Sequence, residues 1–145
     1  MLYGQDRNAL RAIFFRAWQR YRAAQPLEGV EAQIVALALR HPEYHPVLDD
    51  AEGHGDRDWH PEGGRENPFL HLSMHLALAE QLSINQPPGI CQRFAELRDR
   101  LGDEHAAEHR AIDCLGEVLW QAQRTAATPD VASYLDCLAR AGGTR

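Results

Sequence analysis

Residues 67–84, NPFLHLSMHLALAEQLSI, decide the fold. Asn67 followed by Pro68 reads as a helix start, a side chain that can accept from free N–H groups ahead of a residue whose fixed φ suits the first turn. The run that follows is apolar on nearly every side, and a helix of that kind belongs at the centre of a bundle. Within it His71 and His75 stand four apart, so both imidazoles leave the same face about one turn from each other. Leu78 and Leu82 extend that line, which points it into the core.

On the N-terminal side, Leu10, Ile13, Phe14, Ala17, Trp18 and Tyr21 recur at i, i+3, i+4, i+7 spacing over residues 6–24, with arginines on the opposite, solvated face. Pro26 ends this helix. A second helical pattern covers 27–40, with Leu27, Ile34, Val35 and Ala38 inward, and Pro42 and Pro46 then bracket a corner, HPEYHP, at 41–46. A short helical turn follows to Asp50. Residues 53–66 combine glycine, proline and charge without periodicity and read as a long loop with the character of a lid.

On the C-terminal side, NQPPG at 85–89 breaks the central helix and a further pattern resumes from Ile90 to Leu101, where Gly102 either stops or kinks it. Asp103 to Arg124 is a long helix, and Thr128-Pro129-Asp130 opens a last one with Val131, Tyr134, Leu135 and Leu138 inward. No stretch reads as a strand. The sequence therefore predicts an all-α fold, an antiparallel bundle of four main helices with one or two short ones, in a single domain over 1–145.

Composition narrows the functions. The net charge of -6 weighs against nucleic acid, which needs clustered cations, and no apolar run approaches the roughly 20 residues of a membrane span. Residues 1–15, MLYGQDRNALRAIFF, lack a basic segment followed by an apolar stretch and a small-residue cleavage site, so export is not expected. Cys91, Cys114 and Cys137 are far apart, odd in number and form no CxxC, which argues against disulfides and for a reducing cytoplasm. Cys114, in mid-helix, reads as a small core residue rather than a nucleophile. No GxSxG, Walker-type or GxGxxG motif is present, and there is no CxxCH for covalent haem.

Histidine is the outlier, with eight in 145 residues. His105 and His109 repeat the HxxxH spacing on the long helix, on a stripe continued by Ile112, Gly116 and Leu119. Two such pairs can meet across a bundle axis, and neighbouring turns bring two ring nitrogens within reach of one ion at about 2.0 to 2.1 Å. Bundles build metal sites by projecting Glu and His inward. Glu31, between Leu27 and Ile34 on an apolar stripe, is the carboxylate that needs a cation, and His45, with His41 behind it, could supply another nitrogen. The expected ligands are thus His71, His75, His105, His109, Glu31 and His45, around zinc or a di-iron centre. If the site is catalytic, an open position would activate water or dioxygen, with Glu117 or Glu108 as base. The competing readings are a non-enzymatic interaction or structural module whose histidines form a buried hydrogen-bond network, and a bundle that holds haem between histidines. A homodimer and a small-molecule substrate remain open as partners.

The stretch at 67–90, with HPEYH at 41–45 and EHAAEHRAIDCLGEVLWQAQR at 104–124, resembles a bacterial family known as domain of unknown function 1841, over nearly the whole chain to Tyr134. Positions that match its signature include Glu31, His41, His45, His71, His75, His105, His109 and Glu117. The resemblance implies no activity, substrate or cofactor. More loosely, a histidine after helix two plus a later HxxxH is similar to the three-histidine nickel or zinc site of DinB-type bundles, and inward Glu and His resemble hemerythrin and ferritin-like di-iron proteins. The ferritin-like ExxH pairs are missing, and the second HxxxH is surplus to the DinB arrangement.

Overall fold

Proline and glycine cut this chain into helices at the places where a helix cannot continue, and the side chains beside them satisfy the backbone groups so exposed. The structure, a computed structural model, describes the backbone of residues 5–54 and 67–143 and the side chains of 9–52 and 67–143. The loop expected at 53–66 lies almost wholly outside the described residues. Among the described residues every regular element is helical: α1 (Gln5–Arg22), α2 (Val30–Leu39), a 3-10 turn (Pro42–Tyr44), α3 (His45–Leu48), α4 (Ala51–His54), α5 (Pro68–Ile84), α6 (Ile90–Leu101), α7 (Glu104–Thr125) and α8 (Val131–Ala141). The fold is all-α, as the periodicity predicts. None of these helices is long and apolar enough to cross a membrane.

Caps fix the helix starts. Asn67 Oδ1 accepts from the N–H groups of Phe69 at 3.0 Å and Leu70 at 3.2 Å, with Pro68 in the first turn of α5. Asp103 accepts from Ala106 to start α7, and Asp130 from Ser133 to start α8. Gly102 adopts the left-handed conformation, φ 74°, and stops α6 rather than kinking it. Three other turns off helices use side-chain-bearing residues in that conformation, Ala24 (φ 57°), Asn85 (φ 51°) and Ala126 (φ 53°).

Contacts divide the chain into two units, Met1–Leu76 and Ala77–Arg145, with the division inside α5. In the first, α1 packs on α2 and α3. Phe14, Ala17 and Trp18 of α1 meet Ile34, Val35 and Ala38 of α2, Tyr44, Leu48, and Phe69 and Leu72 of α5 in one apolar core. The buried face of α1 differs from the predicted stripe. Ile13 and Tyr21 are exposed, while Phe15 and Arg11 are buried. Phe15 and Arg11 both turn to Phe69, Phe15 edge-on with ring centroids 5.3 Å apart and Arg11 with its guanidinium 4.8 Å from the ring centre. The arginines of α1 are accordingly not a uniform solvated face.

In the second unit α6, α7 and α8 pack on one another. Leu97, Ala111, Cys114 and Leu138 are fully buried. The predicted stripe of α7 holds at Ile112, which is buried, but not at Leu119, which is exposed, and Ala107, Ala111, Cys114 and Val118 share the inner face. Val131 of α8 is also exposed. Tyr134 is buried, its hydroxyl donating to Gln81 Oε1 at 2.7 Å, and burial pushes that hydroxyl far above its ordinary pKa. Cys114 of α7 and Cys137 of α8 form a disulfide with Cα atoms 5.8 Å apart. This corrects the expectation of free cysteines and removes the support it gave to a cytoplasmic location. Cys91 is free and exposed.

Candidate metal centre

Three histidines come together in the first unit. His71 and His75 lie on α5 at the predicted i, i+4 spacing. His41 reaches them from the corner after α2, where its own N–H still closes onto Ala38 O at 3.0 Å while Pro42 turns the chain into the 3-10 turn. All three imidazoles are buried. His75 Nε2 is the hub, 3.3 Å from His41 Nε2 and 3.1 Å from His71 Nε2. The three rings meet edge to face, with interplanar angles of 76°, 61° and 78°.

Two nitrogens bound tetrahedrally to one ion at about 2.05 Å lie roughly 3.3 Å apart. The observed separations of 3.1 and 3.3 Å match the edge length of such a shell. They fit a plain hydrogen-bond network less well, because a ring nitrogen has one in-plane direction for its proton or lone pair and His75 Nε2 faces two partners.

A carboxylate completes the arrangement. Glu43 Oε2 lies 2.9 Å from His41 Nδ1. Partial burial, the largest single effect, acts to raise the Glu43 pKa, but the hydrogen bond from His41, a backbone hydrogen bond and the nearby His41 and His71 together outweigh it and hold the carboxyl below its ordinary value. An ionised carboxylate only accepts, so Nδ1 of His41 carries the proton, and in the neutral ring this leaves the lone pair on Nε2, the nitrogen nearer His75. Tyr44 stacks on the other face of His41, with centroids 5.2 Å apart and planes 12° from parallel. In the second unit, His105 and His109 of α7 sit with ring centroids 4.2 Å apart, half-buried, and His105 Nδ1 is 3.6 Å from Glu108 Oε1. Each of these two also offers a nitrogen within 4.8 Å of the other.

Two expected ligands are used elsewhere. Glu31 is buried on α2 as the apolar stripe predicts, but its cations are arginines: Arg20 Nη1 reaches both carboxylate oxygens at 3.0 and 3.2 Å, and Arg16 Nε stands at 3.5 Å. The N–H of Glu28 bonds it too, and that hydrogen bond first, then Arg20 against the opposing effect of burial, lowers its pKa. The reasoning that a buried carboxylate needs a cation holds, and α1 supplies one. His45 Nε2 donates to Ala38 O at 2.7 Å and its ring packs on Trp18, centroids 4.5 Å apart. His41, four residues earlier, takes the place expected of it. Glu117, a candidate base, is exposed and accepts from Gln121 at 3.2 Å.

The residue missed by sequence reasoning is Glu43, the partner of His41, which is named from the sequence only behind His45. A signal was present: in His-Pro-Glu the proline forces a turn, and a turn brings the side chain two residues on back toward the histidine.

The molecule is thus an all-helical protein carrying histidines, His41 and His75 buried and His105 and His109 half-buried, of the kind that could hold a metal ion. The chain belongs to the family described as Domain of unknown function (DUF1841), whose model matches residues 6–140. No curated protein and no solved structure matches it.

Proposed function

We propose that this protein binds a divalent transition-metal ion through imidazole nitrogens, with His41, His71 and His75 as the core ligands. The observation that carries the reading is the convergence of their Nε2 atoms on His75 at 3.1 and 3.3 Å, with Glu43 fixing the proton of His41 on the outer nitrogen. An imidazole set with no thiolate suits zinc and its neighbours in the first transition row. A di-iron centre draws less support, since it needs carboxylate ligands and Glu31 is held by Arg20 and Arg16. Haem draws less still: nitrogens on either side of a haem iron stand about 4 Å apart with the macrocycle between them, farther than either contact at His75. Three imidazoles leave a fourth position for water or a small-molecule substrate.

His105 and His109, the other histidines expected as ligands, are tested by the same measurements. Protein purified without an affinity tag should carry close to one ion per chain by elemental analysis, and chelation should lower its Tm. His75→Ala should lose the ion while keeping the helical far-UV spectrum, and His105→Ala should lower the affinity if that pair is a ligand. Below about 0.3 ion per chain, with a Tm indifferent to chelation, the proposal fails and the second reading, a metal-free polar network in a structural module, takes its place.

A further inference from the structure

Between α7 and α8 lies a groove of about 910 Å³ lined by both cysteines of the disulfide, together with Glu117, Thr128, Ser133 and Arg140. The two sulfurs are not equivalent. Cys114 is fully buried, whereas Cys137 is partly open. Arg110, one turn before Cys114 on α7, places Nη1 3.6 Å from Cys114 Sγ and does not line the groove.

Thiol–disulfide exchange needs three things: an accessible sulfur to attack, a path for the attacking thiolate, and stabilisation of the sulfur that leaves. The groove supplies the path, Cys137 is the less buried of the two cysteines that line it, and the Arg110 guanidinium stabilises a thiolate on Cys114, as cationic neighbours do. We propose that the Cys114–Cys137 disulfide is an exchange site for a small, polar, low-molecular-weight thiol entering this groove. The thiolate attacks Cys137 Sγ, forming a mixed disulfide there. The Cys114–Cys137 bond breaks, and its electron pair leaves with Cys114 as a thiolate beside Arg110. A second thiolate attacks the sulfur of the first, releasing the small-molecule disulfide and leaving Cys137 reduced. Two thiols are oxidised and one protein disulfide is reduced. The proposal does not depend on metal binding.

The test uses the full chain carrying Cys91→Ser, which removes the exposed free thiol, with reduced glutathione as the probe. Samples quenched in acid and mapped by mass spectrometry should show the glutathione adduct on Cys137. Arg110→Gln should slow the first step several-fold, because a leaving thiol of higher pKa departs more slowly, while Arg110→Lys should stay close to the parent rate. An adduct on Cys114, a rate unchanged by Arg110→Gln, or cysteines that react only after the protein is unfolded in denaturant would each overturn it.

Discussion

Because the Glu43 carboxylate holds the Nδ1 proton of His41 at 2.9 Å, it determines which nitrogen His41 can offer, although Glu43 itself is more than half exposed. Residues that orient metal-bound histidines in this way commonly change affinity by about 10- to 100-fold when removed. Glu43→Ala should weaken the ion by that order in a competition titration against a chromogenic chelator, and Glu43→Gln, which still accepts from Nδ1, should lose less. Equal affinities for all three proteins would separate Glu43 from the site. At this scale the sequence was half legible. The pair His71 and His75 could be read because helical spacing alone puts both rings on one face. The choice between His41 and His45 could not, since it depends on where a proline-bracketed corner turns, and both histidines precede a proline. Glu31 was legible as a buried charge, but the identity of its cation depends on α1, eleven residues and one turn away.

Helix boundaries were legible where a side chain or ring closure dictates them. Asn67 and Pro68 start α5 as the sequence predicts, and Asp130 starts α8. Losing the Asn67 cap should cost about 1 kcal/mol, so Asn67→Ala should lower the midpoint of chemical denaturation accordingly without altering the helical spectrum at low denaturant. Its cap lies one turn before His71, so fraying there should also loosen the first of the two α5 imidazoles. Helix faces were less legible than helix ends. In α1 the sequence stripe included Ile13 and Tyr21, yet Phe69 draws Phe15 and Arg11 inward instead. A stripe more than 100° wide leaves such rotations to the partner helix. The disulfide carried no sequence signal, because its cysteines are 23 residues apart on different helices and only the packing of α7 on α8 brings them together.

For the whole molecule, acid is the condition that reaches several of these contacts at once. The indole N–H of Trp18 bonds Asp49 Oδ1 at 2.7 Å and Arg22 reaches both oxygens at 3.2 Å. The Trp18 hydrogen bond most of all, with Arg22 added and burial opposing, holds Asp49 below its ordinary value of 3.8. Hydrogen bonds from Ser133 do the same for Asp130, and Glu31 is lowered from 4.5. A carboxyl whose folded pKa is depressed contributes its stability fully above the unfolded value and loses it as pH falls through the folded one. Resistance to denaturant should therefore begin to fall once the pH drops below about 4.5, and Asp49→Asn should flatten part of that decline. A decline with the same steepness in the variant would remove Asp49 from the account.

The left-handed residues that follow α1, α5 and α7 carry a further consequence. Ala24, Asn85 and Ala126 hold positive φ with a Cβ in place, a conformation that costs an alanine roughly 1 kcal/mol more than it costs glycine. None of the three is a histidine or a cysteine, so the chain tolerates this tension apart from any chemistry. The protein could be toughened at these corners while its candidate ligands and its sulfurs stay as they are.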